Sequence, residues 1–223
     1  MHLIILRVNS YDHSRTCHQR RGTYQFSTST GDGTMNQGNT QHVKKEEQQG
    51  SLVNGVDTKV LGGTVSAVQS EPELGVSRFS ASKTWVYGAH NRSEVTGFFG
   101  AGQEIAHKQK FCLLADEPAI LAGTDDGANP VEHLLHALAS CLTTSMVAHA
   151  AVRGVHIEAM TSELEGDLDL NGFFGLNPDT PKGFTRIRAK FSVKAAEEDM
   201  ATIRSLAGFS PVMNTLTCLL YTS

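Results

Sequence analysis

The chain has 223 residues and a formal net charge of −4, with 39% hydrophobic and 19% charged residues. That length allows one large domain, or one domain with a tail. The acidic balance removes any general attraction to nucleic acid or anionic lipid, and no run in the sequence approaches the roughly 20 apolar residues that span a bilayer.

Residues 1–50 are rich in Ser, Thr, Gln, Asn and Gly and show no sustained hydrophobic period. This is the composition of a disordered or non-native leader, dispensable for folding because it cannot bury enough apolar surface to offset its ordering entropy. The opening apolar stretch, residues 1–6, is shorter than the roughly 7–15 residues of a signal-peptide core. Arg7, Arg15, Arg20 and Arg21, against Asp12 and Asp32, leave an organelle transit peptide as the alternative to a cytoplasmic location, and Met35 is an alternative start. The four cysteines, Cys17, Cys112, Cys141 and Cys218, include no Cys-x-x-Cys pair. A zinc ribbon or thioredoxin-type motif is therefore not indicated, and a reducing compartment is expected.

Residues 53–69 carry Val56, Val60 and Val68 at helical spacing, interrupted by Gly62 and Gly63, which predicts a weak helix. Residues 79–87 alternate as a strand, residues 88–93 read as a turn, and residues 94–99 and 110–115 read as two further strands. The strongest helix signal comes next. Asn129 is a good N-cap, Pro130 suits the first helical position, and Glu132 completes a capping-box pattern. This helix is predicted to run to Arg153 and stop at Gly154, with Leu134, Leu138, Cys141, Ser145 and Ala148 on one face and Leu135 and Leu142 widening the apolar surface.

Residues 155–170 and 184–194 read as strands. In the second, Thr185, Ile187, Ala189, Phe191 and Val193 alternate with Arg186, Arg188, Lys190 and Lys194, giving one buried and one solvated face. Residues 171–183 are a Gly- and Pro-containing loop, residues 197–207 a second helix, and Ser210-Pro211 the cap of a third. Strands, helix, strands, helix in that order argue for an α+β fold, with helices packed on antiparallel sheet.

Cys141 is the first candidate for chemistry. Its rival is a plain core cysteine, since free Cys is among the most buried residue types. No basic residue lies within one helical turn of it, so a charge that would activate the thiolate must come from elsewhere in the fold. His136 and Cys141 are five residues apart, about 140° around the helix axis, so these two with His133 do not form a metal site. Glu132 precedes Cys141 by nine residues, about 180° around and roughly 13 Å along, and cannot touch that thiol within one chain.

The phrases Gly123-Thr124-Asp125-Asp126-Gly127-Ala128-Asn129-Pro130-Val131-Glu132 and Leu138-Ala139-Ser140-Cys141-Leu142 resemble the central helix of the OsmC/Ohr family, the thiol-dependent hydroperoxide reductases. His90-Asn91-Arg92-Ser93, Gly100-Ala101-Gly102-Gln103-Glu104, Asp116-Glu117-Pro118, residues 165–170 and Ser210-Pro211-Val212 match in the same order, so the resemblance covers roughly residues 53–217. It implies an OsmC-like α+β fold over residues 53–223 and an intertwined homodimer with central helices wrapped by antiparallel sheets. It also implies a peroxidatic cysteine at Cys141 and an arginine, best matched by Arg92, that stabilises the thiolate and steers the peroxide. The implied partners are an organic hydroperoxide and an external thiol or dithiol reductant, with no metal or organic cofactor, no nucleic acid and no membrane.

The sequence departs from that pattern at two positions. The family glutamate after the helix-opening proline is Val131 here, with Glu132 one residue late. The family's second, resolving cysteine falls at Ser210, which cannot form a disulfide. Residues 218–223 do not resemble the family's last strand, so the C-terminal end is expected to be truncated. Two readings follow: a one-cysteine hydroperoxide reductase of the oxidative-stress response, or a non-catalytic OsmC-like dimer that binds an apolar small molecule.

Overall fold

The computed structural model describes residues 1–9 and 52–217. In chain order its first elements are β1 (His2–Asn9), β2 (Leu52–Val53), β3 (Val56–Asp57), α1 (Thr58–Ser70), β4 (Arg78–Phe79), β5 (Ser82–Tyr87), β6 (His90–Gly100) and β7 (Gln103–Ala115). There follow α2 (Pro130–Val152), β8 (Ile157–Asp167), α3 (Leu170–Phe173), β9 (Arg186–Ala195), α4 (Met200–Leu206) and α5 (Pro211–Thr217). The chain divides into two compact units, Met1–Thr58 with Leu135–Ser223, and Lys59–Leu134.

In the first unit an antiparallel sheet has the order β1-β9-β8. Ile187, Ala189, Phe191 and Val193 of β9 are buried, as their alternation predicts. Leu138, Leu142, Met146 and Ala150 of α2, Met200, Ile203 and Leu206 of α4, and Met213 of α5 complete one core with them. The 4-residue spacing along α2 sets this buried stripe. Cys141, Ser145 and Ala148, expected on the inner face with Leu138, instead lie on its half-buried flank.

The opposite face of β9 carries the basic row, and β8 answers it in register. Arg188 faces Glu165 and bonds both it and Asp167, and Lys190 faces Glu163 at 3.2 Å. Lys194 pairs with Glu158 at 2.5 Å. The Arg188 guanidinium holds the Asp167 carboxyl below its ordinary range. Cross-strand acid–base pairs of this kind neutralise a solvated sheet face.

Two expectations need correction in this unit. Residues 2–9 form β1, paired with β9 so that Ile4 faces Phe191 and Leu6 faces Ala189, with Ile4 and Leu6 fully buried. The apolar stretch of residues 1–6, too short for a signal-peptide core, is long enough to form a strand against β9; residues 10–51 lie outside the described residues. Moreover, α2 is long and apolar enough to cross a bilayer by length and composition. The sequence count missed this because histidines and small polar residues break up its apolar residues. In the fold its Leu138–Leu142–Met146–Ala150 stripe is buried in the core.

Asn54-Gly55 makes the turn between β2 and β3, with φ of 54° and 77°, the two positive values a type I′ hairpin requires. Residues 53–57 are therefore not helical, and α1 begins only at Thr58. The Asn54 side chain then joins two distant segments, donating to the Val155 carbonyl at 2.9 Å and accepting from the Ile157 amide at 2.8 Å.

In the second unit β6 is the centre of a four-stranded antiparallel sheet. β4 and β5 pair along one of its edges and β7 along the other. The turn expected over residues 88–93 is shorter than predicted: residues 90–93 belong to β6, and Arg92 is a strand residue facing Thr84 and Leu114.

The β1 strand yields a measurable cost. Ile4→Ala should lower unfolding free energy by about 2–5 kcal/mol, read by denaturant titration. A chain starting at Val53 should melt well below the full chain rather than alongside it.

Candidate functional site

The start of α2 is built as its sequence predicts. The Asn129 side chain accepts from the Val131 amide at 2.8 Å, and Glu132 Oε2 accepts from the Asn129 amide at 2.8 Å, a closed capping box. Glu132 is thereby engaged with the helix end. The Asn129 side-chain amide also donates to the Glu117 carboxylate. Burial first, then the charges of Asp116 and Glu132, push the Glu117 carboxyl up from its ordinary value. His133 Nε2 meets the Leu114 carbonyl at 2.8 Å, and His136 is exposed.

The loop that feeds this helix is organised by Asp116, whose side chain is completely buried. Its Oδ1 accepts from the Glu117 amide at 2.8 Å. Its Oδ2 accepts from the Thr124 amide at 3.1 Å, the Thr124 hydroxyl at 2.6 Å and the Asp126 amide at 3.2 Å. Donation by Thr124 is the main reason that the Asp116 carboxyl is lowered from 3.8 to about 2, and the backbone amides reinforce it against burial. Glycine is required where the loop closes. A Cβ on Gly123 would lie 1.7 Å from the Glu117 carbonyl oxygen, and one on Gly127 would lie 2.8 Å from the Leu114 carbonyl carbon. The phrase from Gly123 to Asn129 is thus a loop wrapped around one carboxylate and ending in a helix cap.

Tyr87 and His90 approach the same carboxylates. The Tyr87 hydroxyl reaches Asp126 Oδ2 at 3.3 Å, and His90 Nδ1 lies 3.9 Å from Asp116 Oδ2. His90 and Asp116 fell within matched phrases of the sequence, but their separation of 26 residues gave no hint that they meet. Only the strand pairing of Asn91 with Ala115 brings them together.

The other predicted site residues are placed as follows. Cys141 is a free, half-buried thiol in the first unit, on α2. Arg92 lies in the second unit, with Nη2 3.4 Å from Glu94 Oε1, a carboxylate that Lys110 also holds at 3.0 Å. Ser210 is fully buried, and its Oγ accepts from the Met213 amide at 3.2 Å as the cap of α5. Cys112 is free and exposed on β7, while Cys17 and Cys218 lie outside the described residues.

Two outcomes test this loop. Asn129→Ala should cost about 1 kcal/mol of stability through the lost cap, read by urea unfolding. Because the Asp116 carboxyl is depressed on folding, its contribution is complete above the ordinary value of 3.8 and is lost as pH falls toward about 2. Melting temperature should drop through that window, and Thr124→Val should make the drop shallower.

Residues 123–219 match the family model described as OsmC-like protein. No curated protein matches the chain. Among solved structures, an OsmC-like protein from Mycoplasma pneumoniae is 16% identical, with 64% of this chain and 89% of that one covered and a TM-score of 0.45. An organic hydroperoxide resistance protein from Legionella pneumophila is 15% identical, with 61% and 88% covered and a TM-score of 0.39. An OsmC-like protein from Vibrio cholerae is 16% identical, with 62% and 93% covered and a TM-score of 0.40. The segment that matches the OsmC-like family model, residues 123–219, holds the Asp126 end of the loop, all of α2 with Cys141, and the Ser210 cap.

Proposed function

We propose that this protein is a one-cysteine, thiol-dependent reductase of organic hydroperoxides, with Cys141 as the peroxidatic residue. The observation that carries the reading is a free, half-buried thiol on α2, inside the segment that matches the family. The Cys141 thiolate attacks one peroxide oxygen, the O–O bond breaks, and the alkoxide leaves and takes up a proton to become the alcohol. Cys141 is left as a sulfenic acid. Ser210, buried as a helix cap, offers no sulfur to resolve it. A first external thiol therefore condenses with the sulfenic acid, releasing water and forming a mixed disulfide. A second thiol reduces that disulfide and regenerates Cys141.

In this reading Arg92 stabilises the thiolate and steers the peroxide. Its guanidinium keeps its charge at every relevant pH, and its contact with Glu94 is long enough to exchange for another anion. The active form is a homodimer. In support, the second unit leaves Phe79, Trp85, Phe111 and Leu113 exposed, apolar side chains that a partner chain would cover.

The decisive experiment treats the protein with one equivalent of cumene hydroperoxide and locates the product by mass spectrometry. A single added oxygen on Cys141, or a mixed disulfide there when glutathione is present, is expected. Cys141→Ser should abolish turnover. An internal disulfide from Cys141 to Cys112 or Cys218 would replace the one-cysteine scheme, and no modification at all would favour the non-catalytic binder. Arg92→Ala should lower turnover with little change in melting temperature, and light scattering should give twice the chain mass.

A further inference from the structure

We propose that His90, Asp116 and Asp126 form a binding site for a divalent first-row metal ion, separate from the Cys141 thiol chemistry. His90 Nδ1 and one carboxylate oxygen from each aspartate lie within 4.8 Å of one another. Ligands held about 2.0–2.2 Å from one ion sit within roughly 4.4 Å of each other, so a closure of a few tenths of an ångström brings all three onto a common centre.

The imidazole is the informative member. Its Nδ1 is buried and makes no hydrogen bond, and Asp116 Oδ2 at 3.9 Å is beyond hydrogen-bond reach. A buried ring nitrogen without a partner costs free energy, and a metal ion that accepts its lone pair removes that cost. Charge points the same way. Two carboxylates meet here, and among the described residues no lysine or arginine pairs with either. The Thr124 hydroxyl touches Asp116 Oδ2 at 2.6 Å and Asp126 Oδ2 at 2.7 Å, yet has one proton to give. The cluster is short of positive charge.

The donor set defines the ligand. One imidazole nitrogen with two carboxylate oxygens suits Mn2+, Fe2+, Co2+ or Zn2+ rather than a soft, thiolate-seeking ion. Asp116 is buried and held by the loop, so it supplies a fixed ligand. Asp126 is exposed and opens the site to solvent. An ion bound here ties the first residue of β6 to the 116–126 loop. His133, His136 and Cys141, the residues weighed from sequence, take no part.

The chain supplies its own reporter. Its single tryptophan, Trp85, donates its indole N–H to the Gly88 carbonyl at 2.9 Å, two residues from His90. Co2+ added to the full-length protein should bind with equimolar stoichiometry, develop visible d–d absorption and quench Trp85 fluorescence, and Zn2+ should raise the melting temperature. Asp126→Asn and His90→Gln should each weaken Co2+ binding by about tenfold or more while keeping the wild-type circular dichroism spectrum. Absence of saturable binding to the wild-type protein would overturn the proposal, as would unchanged affinity in either variant. Peroxide turnover by metal-free protein is scored separately, so failure here leaves the Cys141 reading standing.

Discussion

A single buried carboxylate, Asp116, determines how the chain enters its longest helix. Four donors from Glu117, Thr124 and Asp126 converge on it. They force the backbone into a loop so tight that Gly123 and Gly127 tolerate no side chain. The loop delivers Asn129 to its capping position and Glu117 to the Asn129 side chain. Removing a carboxylate that satisfies so many donors strands each of them, which costs more than the mean worth of the bonds themselves. Helix propensity alone would permit α2 to begin at several residues; the loop permits one.

From that start the helix carries two kinds of residue on adjacent strips. Leu138, Leu142, Met146 and Ala150 fill the core against β9 and β1. Cys141 occupies the half-buried strip beside them, close enough to rigid packing to be held and far enough from it to be reached. Ser210 is held in the core at the start of α5, where its hydroxyl accepts from the Met213 amide and caps the helix.

Much of this was legible from residue order. The 2-residue period of β9 and the Asn129-Pro130-x-Glu132 signature each specify local structure through nearest neighbours, and both appear where expected. What escaped detection depended on contacts distant in sequence or averaged over too long a window. The strand from His2 to Asn9 is diluted in composition by the mostly polar residues that follow it up to residue 50. The Asn54-Gly55 hairpin was present as a turn dipeptide but was overridden by a valine period. The meeting of His90 with Asp116 exists only because β6 and β7 pair, and no local period encodes it. Arg92 lies beside a turn by composition, but the pairing of Tyr87 with His90 confines that turn to Gly88-Ala89 and puts Arg92 on β6.

The pairing of β1 with β9 has a consequence for how the chain is made. Ile4 and Phe191 are neighbours in space but 187 residues apart in sequence. During synthesis at about 5–20 residues per second, the first strand waits on the order of ten to forty seconds before its template leaves the ribosome. Its apolar side chains are solvent-exposed for that interval, and the sheet closes only after translation has passed β9. Such high contact order makes this unit slow to fold. It also leaves the nascent β1 strand without its partner for far longer than β8, which waits only for the nearby β9.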